Sequence, residues 1–266
     1  MSAATTGDDA APANRRFAGI ARLYGDAAFQ SFRRAHVCVI GIGGVGTWVV
    51  EALARSAIGE MTLIDLDMIA ESNTNRQIHA LGDDFGRAKV EAMAARAMAI
   101  NPELKIHQIE DFVTAENIGE LLATPFDYVV DAIDDTRAKV AIAAYCRDRG
   151  LPLLTAGAAG GKIDPTQIVV DDLARTTQDA LLSRMRQQLR KHYDFPRDPK
   201  RKFGIPAVFS REPMRRPAAG GEACGIDGRL SCTGYGSATA VTGSFGFAAA
   251  SVVLGHLAAR PQGGKN

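Results

Sequence analysis

Short apolar runs alternate with longer stretches of helical periodicity between residues 35 and 154. The runs that predict buried strands are His36 to Ile40, Met61 to Asp65, Lys105 to Ile109, Tyr128 to Asp131 and Pro152 to Thr155. The segments between them that predict helices are Val45 to Ser56, Arg87 to Ile100, Ala115 to Leu122 and Thr136 to Arg149. Because this alternation is typical of βαβ units, it predicts an α/β fold with a Rossmann-like, mostly parallel sheet flanked by helices.

The pattern changes after Gly157, where a glycine-rich turn precedes a predicted strand at Gln167 to Val170 and a basic helix at Leu181 to Lys191. We expect this second half to extend the sheet with antiparallel strands. Two segments, near 194–204 and 211–232, are rich in proline, glycine and cations and contain little to bury. Both are predicted to be mobile loops.

An apolar segment from Thr233 to Leu257 contains no Asp, Glu, Lys or Arg. It is long enough to cross a bilayer. Its many small residues dilute the hydropathy and also suit a helix packed closely inside the protein. We favour the buried helix, with membrane contact through residues 233–257 as the alternative.

Length, charge and cysteine content restrict the class of protein. A chain of 266 residues is long enough for one large core, so a disordered tail at 1–14 and a single domain at 15–266 are predicted. The net charge of +1 leaves only a local surface for nucleic acid. The four cysteines form no CxxC pair, and the N-terminus has no secretion signal, which predicts a cytoplasmic protein without a structural metal. Cys224 and Cys232 lie beside a glycine-rich loop, and we favour inert thiols over reactive ones.

A glycine motif, Gly41-Ile42-Gly43-Gly44-Val45-Gly46, follows the first predicted strand and leads into an apolar helix. In this context glycines allow a tight turn and let a phosphate approach the backbone, while the helix N-terminus offers free N–H groups. Gly41, Gly43, Gly44 and Gly46 are therefore predicted to bind a nucleotide. The motif alone does not separate NAD, FAD, SAM and ATP, and a turn without a ligand is the alternative.

Charged residues after the second strand favour a triphosphate over a dinucleotide. Asp65 ends that strand, where an acid hydrogen-bonds a ribose, and the polar cluster Asn73 to Gln77 and then Lys89 follow. A dinucleotide pyrophosphate rests largely on backbone amides, whereas a triphosphate under attack needs cations. The predicted nucleotide-binding residues here are Asp65, Asp67, Asn73, Asn75, Arg76, Gln77 and Lys89.

The fourth strand runs into three acids, Asp131, Asp134 and Asp135. Carboxylates at this end of a strand lie over the ligand crevice of an open α/β sheet and suit Mg²⁺. Asp134 is the predicted Mg²⁺ ligand, together with ATP phosphates, and Asp131 is counted among the nucleotide-binding residues. Asp134 or Asp135 is equally well placed to cap the helix that starts at Thr136.

Taken in order, these motifs resemble the ubiquitin-activating-enzyme-like superfamily. The motifs that carry the resemblance are GIGGVG, LIDLD, NTNRQ, Lys89 and DAIDD. One branch, the tRNA threonylcarbamoyladenosine dehydratases, is more similar still. The segments shared with that branch are RFAGIARLYG (Arg16 to Gly25), SNTNRQIHAL, INPE, GGKIDPTQI (Gly160 to Ile168) and the glycine-rich C-terminal helix. The resemblance covers nearly everything from Arg15 to the end.

The resemblance implies an ATP-dependent adenylation. The free carboxylate of N6-threonylcarbamoyladenosine, next to the tRNA anticodon, would attack the α-phosphate of ATP, and the carbamoyl oxygen of the same modification would then close a ring and release AMP. The resemblance assigns catalysis to Arg76, Lys89, Asp134 and Arg22, the last contributed across the interface of a homodimer. Since the ring-closing nucleophile is already tethered, no catalytic cysteine is needed.

Two other functions stay open from the sequence. One is an adenylyltransferase that activates a ubiquitin-like sulfur carrier, although the CxxC pairs that hold zinc in such enzymes are absent here. The other is a nucleotide-binding scaffold for a cysteine desulfurase and its sulfur-acceptor protein. A tRNA substrate needs a cationic surface. The residues predicted to supply it are Arg184, Arg186, Arg190, Lys191, Arg197, Lys200, Arg201 and Lys202; the alternative is a solvated helix face followed by a loop.

Overall fold

A single seven-stranded sheet organises the chain, with strand order β3-β2-β1-β4-β5-β7-β6. The structure, a computed structural model, describes residues 12–198, 200–215 and 235–260. Its strands are β1 (His36–Ile40), β2 (Glu60–Ile64), β3 (Lys105–Ile109), β4 (Tyr128–Asp131), β5 (Leu153–Ala156), β6 (Ile168–Asp172) and β7 (Pro206–Ser210). Neighbouring strands are parallel except β6 and β7, which pair antiparallel. The predicted fold class is confirmed.

Helices cover both faces of this sheet. They are α1 (Pro12–Tyr24), α2 (Asp26–Arg34), α3 (Gly46–Ala54), α4 (Lys89–Ile100), α5 (Ile118–Leu121), α6 (Thr136–Arg149), α7 (Ala180–His192) and α8 (Thr239–Ala258). On one face the core joins the sheet to α2, α3, α4 and α8. On the other it joins the sheet to α5, α6 and α7. Apolar residues on both faces explain why the central strands β1 and β4 are buried along their entire length.

Element boundaries agree closely with the sequence pattern. β1, β3, β4 and α6 begin and end at the predicted residues, and the other predicted elements differ by one to three residues at an end, except α8, which begins at Thr239 and not at the predicted Thr233. Three elements lie where none was predicted, α1, α2 and β7. The predicted tail at 1–14 is wrong at its end, because α1 already begins at Pro12; residues 1–11 lie outside the described part.

The apolar C-terminal helix α8 packs inside the protein, as favoured from the sequence. It is the one described helix long and apolar enough to cross a membrane, and 56% of its most apolar window is buried. At Gly246 it crosses α3 so closely that an added Cβ would lie 2.5 Å from Cβ of Trp48 and 2.8 Å from the Val45 carbonyl oxygen. This backbone contact requires glycine and makes α8 part of the core.

The segment predicted as a loop near 194–204 contains no helix or strand among its described residues, and it is tied to the core. Phe195 is 2% exposed, and its ring lies 4.9 Å from that of Phe203. The Asp172 carboxylate accepts hydrogen bonds from the backbone N–H groups of Phe203 and Gly204, both at 2.8 Å. These contacts place the segment against β6; its mobility stays a prediction. Of the second predicted loop, residues 216–232 lie outside the described part.

Candidate functional site

The turn between β1 and α3 has the geometry that the glycine spacing predicted. Gly41 has a φ of 88°, and an added Cβ there would lie 2.8 Å from the Ile133 side chain. At Gly46 an added Cβ would lie 1.8 Å from the Gly41 carbonyl oxygen. Around Gly43, in contrast, the nearest side-chain atom to such a Cβ is Nε2 of Gln77 at 3.9 Å. The turn is therefore closely packed at Gly41 and Gly46, and it leaves open space next to Gly43, where a phosphate can approach the backbone.

Asp65 connects this turn to the end of β2. Its carboxylate accepts hydrogen bonds from the backbone N–H groups of Ile42 at 2.6 Å and Asp67 at 2.9 Å. Burial raises the pKa of the Asp65 carboxyl, while the charge of Lys89 and the two N–H donors lower it. Two carboxylate oxygens have more acceptor positions than these donors use, so Asp65 can still accept a bond from a ribose hydroxyl.

Lys89 lies at the first position of α4 and is only 6% exposed. Its Nζ lies 2.6 Å from Oδ2 of Asp67 and 3.8 Å from Oδ1 of Asp65. The Asp67 side chain is 55% exposed, so solvent can replace its contact with Lys89. Asp67 therefore holds the Lys89 ammonium group next to Asp65.

Arg76 is held beside the glycine turn by its own segment. Its Nη1 donates to the Ser72 carbonyl at 2.7 Å and to Oδ1 of Asn75 at 2.9 Å. Its Cδ lies 3.2 Å from the position of an added Cβ on Gly44. Asn73 is engaged locally, since its Oδ1 accepts from the Ala70 N–H at 3.0 Å. Asn73 therefore stabilises the conformation of the segment from Asn73 to Gln77, and Arg76 is the side chain of that segment that lies next to the turn.

Contacts that the sequence analysis missed fix this segment from two sides. The indole Nε1 of Trp48 on α3 donates to the Arg76 carbonyl at 3.0 Å. From the residues around the start of α8, the Ser237 carbonyl accepts from Nδ2 of Asn75 at 2.8 Å, and Thr239 Oγ1 donates to the Asn75 carbonyl at 2.7 Å. The two contacts of Asn75 join residues 162 and 164 positions apart in the chain, and the contact of Trp48 joins residues 28 apart, which is why no local pattern indicated them.

Asp131 is held inside the core, and its contact with a nucleotide stays a prediction. The residue is fully buried, and both carboxylate oxygens lie 3.0 Å from Nζ of Lys139. Thr155 Oγ1 donates to the same carboxylate at 2.7 Å. Because burying a carboxylate is costly without such partners, Lys139 and Thr155 explain why Asp131 points into the core.

The two acids that follow have different roles. Asp135 caps α6, since its carboxylate accepts from the Ala138 N–H at 2.8 Å. Asp134 is exposed and makes no hydrogen bond or ion pair within the described residues. It directly follows Ile133, whose side chain borders Gly41. The structure thus leaves Asp134 as the free carboxylate beside the glycine turn.

Gln77 and His79 are buried polar residues behind the turn. Oε1 of Gln77 and both ring nitrogens of His79 have no hydrogen-bond partner among the described residues, although the residues are only 5% and 2% exposed. Burial, followed by the charge of Lys89, lowers the pKa of His79 to about 4. His79 is therefore neutral at physiological pH and adds no charge to the site. The sequence analysis missed it, because a single histidine after NTNRQ carries no pattern of its own.

Because His79 is buried and neutral, we expect the folded chain to lose stability in acid. Its pKa is about 4 in the folded chain and 6.5 in a model peptide, so the unfolded chain takes up the proton first as the pH falls. This contribution to stability is present above pH 6.5 and is lost towards pH 4, by up to about 3 kcal/mol. Urea unfolding at pH 7 and pH 5 should show a smaller pH-dependent loss in His79→Leu than in the wild type. His192→Leu, at an exposed histidine, should retain the wild-type loss, and equal losses in all three proteins would contradict the prediction.

Arg22 is exposed on α1 and makes no contact with the glycine turn in the described part of one chain. Its role at a phosphate stays a prediction. The two described cysteines, Cys38 and Cys146, are free and buried. Burial raises the pKa of the Cys146 thiol to about 12 and raises that of Cys38 as well, so both are inert. Cys224 and Cys232 lie outside the described residues.

The basic segment, which runs from Arg184 to Lys202, exposes fewer cations to solvent than predicted. Arg186 is half-buried and donates to Oγ1 of Thr176. Arg190 donates to the Pro196 carbonyl at 3.1 Å, and its guanidinium lies 5.2 Å from the centre of the Phe203 ring. These two arginines hold α7 against its neighbours. The cations that remain exposed are Arg184, Lys191, Arg197, Lys200, Arg201 and Lys202.

Comparisons with known proteins show the family of this chain and its similarity to individual relatives. The ThiF family model matches residues 15–256. The chain is 48% identical over 253 residues to tRNA threonylcarbamoyladenosine dehydratase of Escherichia coli (strain K12), covering 92% of this chain and 94% of the relative. It is 48% identical over 244 residues to the enzyme of the same name from Haemophilus influenzae, covering 91% and 93%.

Solved structures are similar to this chain in fold as well as in sequence. The structure of the Escherichia coli enzyme in complex with ATP has a TM-score of 0.84 and 48% identity, and the match covers 92% of this chain and 94% of that one. The complex with AMP has a TM-score of 0.84 and 46% identity, with coverage of 96% and 98%. The similarity thus extends over nearly the full length of both chains.

Proposed function

The chain belongs to the ThiF family, and we propose that it catalyses the ATP-dependent dehydration of threonylcarbamoyladenosine in tRNA through an acyl adenylate. The observation that carries this proposal is the juxtaposition of Lys89 and Arg76 with an open glycine turn. Two cations next to free backbone N–H groups suit a triphosphate better than a dinucleotide.

The chemistry consists of two displacements. In the first, a carboxylate oxygen of the modification bonds to the α-phosphorus of ATP, and the bond from that phosphorus to pyrophosphate breaks. Arg76 and Lys89 stabilise the charge that develops on the departing pyrophosphate. In the second, the carbamoyl oxygen of the same modification attacks the acyl carbon, the carbamoyl N–H gives up its proton, and AMP leaves. The ring closes with the net loss of one water, whose oxygen leaves in AMP.

We propose that Asp134 holds the Mg²⁺ that accompanies the ATP phosphates. Its fit rests on a carboxylate that is exposed, without a partner among the described residues, and adjacent to Ile133 beside the turn. Carboxylate and phosphate oxygens are the ligands that Mg²⁺ prefers. When bound, the ion supplies charge neutralisation for the phosphates.

A homodimer is proposed as the working assembly, with the partner subunit's Arg22 near the phosphates. Arg22 makes no hydrogen bond or ion pair within the described residues, and the adjacent Leu23 is 75% exposed. Sedimentation of a single-chain mass at working concentration would contradict this. A cytoplasmic location is also proposed, which agrees with the free, buried thiols of Cys38 and Cys146.

The test of the proposed function is exchange of labelled pyrophosphate into ATP. We expect exchange to depend on tRNA that carries threonylcarbamoyladenosine, because its carboxylate is the attacking group. Exchange that depends instead on a small carrier protein would identify a sulfur-carrier adenylyltransferase. No exchange with either substrate would favour a nucleotide-binding scaffold. Unmodified tRNA is the matched control, since it provides the same polyanion without the carboxylate.

The surface that binds tRNA is proposed to be the exposed part of the basic segment. We expect the variant Arg184→Glu/Lys191→Glu/Lys200→Glu/Arg201→Glu to bind tRNA with a weaker salt dependence. Each phosphate contact that is lost lowers the slope of log K against log salt by roughly 0.7 to 0.9. The affinity for ATP should not change, because these side chains do not contact the glycine turn.

A double variant, Arg15→Glu/Arg34→Glu, reverses exposed cations on α1 and α2 and is the control. It should retain the wild-type salt slope. Equal slopes for the wild type and the quadruple variant would exclude the exposed basic segment as the tRNA surface.

A further inference from the structure

A cluster of two histidines and a glutamate lies near the amino ends of β1, β2 and β3, whereas the glycine turn lies at the carboxyl end of β1. His36 begins β1, Glu60 begins β2 and His107 lies in β3. In the sheet register, His36 pairs with Glu60, and His107 pairs with Thr62, two residues further along β2. Because paired and alternate residues point to the same face, all three side chains share one face. We propose that His36, Glu60 and His107 form a binding site for a divalent transition metal of the Zn²⁺ type.

The spacing of the ligand atoms carries this proposal. One ligand atom from each residue lies within 4.8 Å of the other two. Oε1 of Glu60 lies 2.8 Å from Nε2 of His107 and 3.7 Å from Nδ1 of His36. Tetrahedral zinc with bonds of about 2.0 to 2.1 Å places its ligand atoms about 3.4 Å apart. The observed distances lie on both sides of that value, so small side-chain movements complete the site.

The surroundings of His36 suit a metal ligand. Its Nε2 forms a 2.9 Å hydrogen bond with Oγ1 of Thr62, which fixes the ring with Nδ1 towards Glu60. A hydrogen bond from the second ring nitrogen is the usual support of a metal-bound histidine.

The cluster is open to solvent, and charged residues surround it. The side chains of His107 and Glu60 are 54% and 32% exposed, so an ion can enter and water can take the fourth position. Asp127 accepts from the backbone N–H of His36 at 2.7 Å, but its carboxylate is paired with Arg260 and adds little net charge to the site. Lys105 lies next to Glu60 on the neighbouring strand β3, and its positive charge repels a metal cation. We therefore expect micromolar rather than nanomolar affinity for the ion.

The position assigns the ion a structural role. The three residues join β1, β2 and β3 at their amino ends or near them, whereas the glycine turn lies at the carboxyl end of β1, about 15 Å away along five residues. A bound ion would link these strands and stabilise the folded chain. The absence of CxxC pairs does not bear on this site, because it uses no cysteine.

The experiment is calorimetric titration of the full, metal-stripped chain with Zn²⁺ in a buffer that does not chelate metals. We expect one ion per chain and a raised thermal unfolding midpoint. His107→Ala removes an exposed ligand with little risk to the fold, and it should weaken binding at least about 100-fold. Glu60→Gln should also weaken it, and both variants should retain wild-type pyrophosphate exchange, since neither residue touches the nucleotide site.

His192→Ala, at an exposed histidine on α7, is the control and should bind Zn²⁺ like the wild type. Co²⁺ should show the visible absorption of a tetrahedral site in the wild type and lose it in His107→Ala. Absence of binding, or equal binding by the wild type and His107→Ala, would overturn the proposal. The second result would point to other ligands, such as free thiols.

Discussion

Lys89→Ala and Arg76→Ala should each lower turnover at least about 100-fold while the protein stays folded. Arg76 lies along Gly44, and Lys89 lies next to Asp65, whose carboxylate accepts from the Ile42 N–H of the glycine turn. Since the departing pyrophosphate gains charge in the transition state, losing either cation affects the chemical step more than binding. The effect should therefore appear in kcat more than in KM.

The fold should survive the loss of Lys89 because its partners have other donors. Asp65 keeps the N–H groups of Ile42 and Asp67, and the Asp67 side chain is solvated. Arg87→Ala is a matched control: it removes a neighbouring cation that pairs with Asp84 and Glu91 on the surface. Such pairs contribute little, so turnover should stay near normal. Turnover within a few fold of the wild type in both site variants would remove the triphosphate assignment.

The glycine turn was predictable because its requirements are local. A strand that must reverse into a helix within six residues needs glycine at Gly41 for a positive φ and at Gly46 for backbone contact. Both conditions follow from chain geometry alone. Lys89 was predicted near the start of the next helix, and α4 begins at this residue, two residues after the predicted Arg87.

The orientation of the acids after β4 was not predictable in this way. Asp131 and Asp134 are three residues apart, and either carboxylate could face a ligand. The difference arises from Lys139 on α6 and Thr155 on β5, whose side chains bind Asp131 inside the core. Tertiary partners of this kind leave no trace in a local motif. Asp135 was one of two predicted caps, and only its 2.8 Å bond to Ala138 decided between them.

The basic helix shows a signal that was present in the sequence and not used. Leu182, Met185 and Leu189 recur at helical spacing and are fully buried. Arg186 follows Leu182 by four residues and so lies beside the same buried stripe. A helical projection would have separated Arg186 from the exposed Arg184 and Lys191. Charge content alone indicates where cations are, and periodicity indicates which of them meet solvent.

The buried pair of Lys139 and Asp131 leads to the largest expected effect on stability. Both side chains are fully buried, with Nζ of Lys139 3.0 Å from the Asp131 carboxylate and 3.0 Å from the Ile133 carbonyl. Lys139→Met removes both contacts and leaves a carboxylate in the core with Thr155 as its side-chain donor. Breaking a buried pair from one side costs about 3 to 5 kcal/mol. Urea unfolding should show a loss of that size.

The double variant Lys139→Met/Asp131→Leu separates the cost of an unpaired charge from the value of the pair. Replacing both partners leaves no buried charge, and such replacements are often close to neutral. We expect the double variant to be more stable than Lys139→Met, and this comparison holds even if the single variant folds poorly. Because the Ile133 side chain borders Gly41, both variants should also raise the KM for ATP. A double variant as unstable as Lys139→Met would show that packing, rather than the unpaired carboxylate, determines the loss.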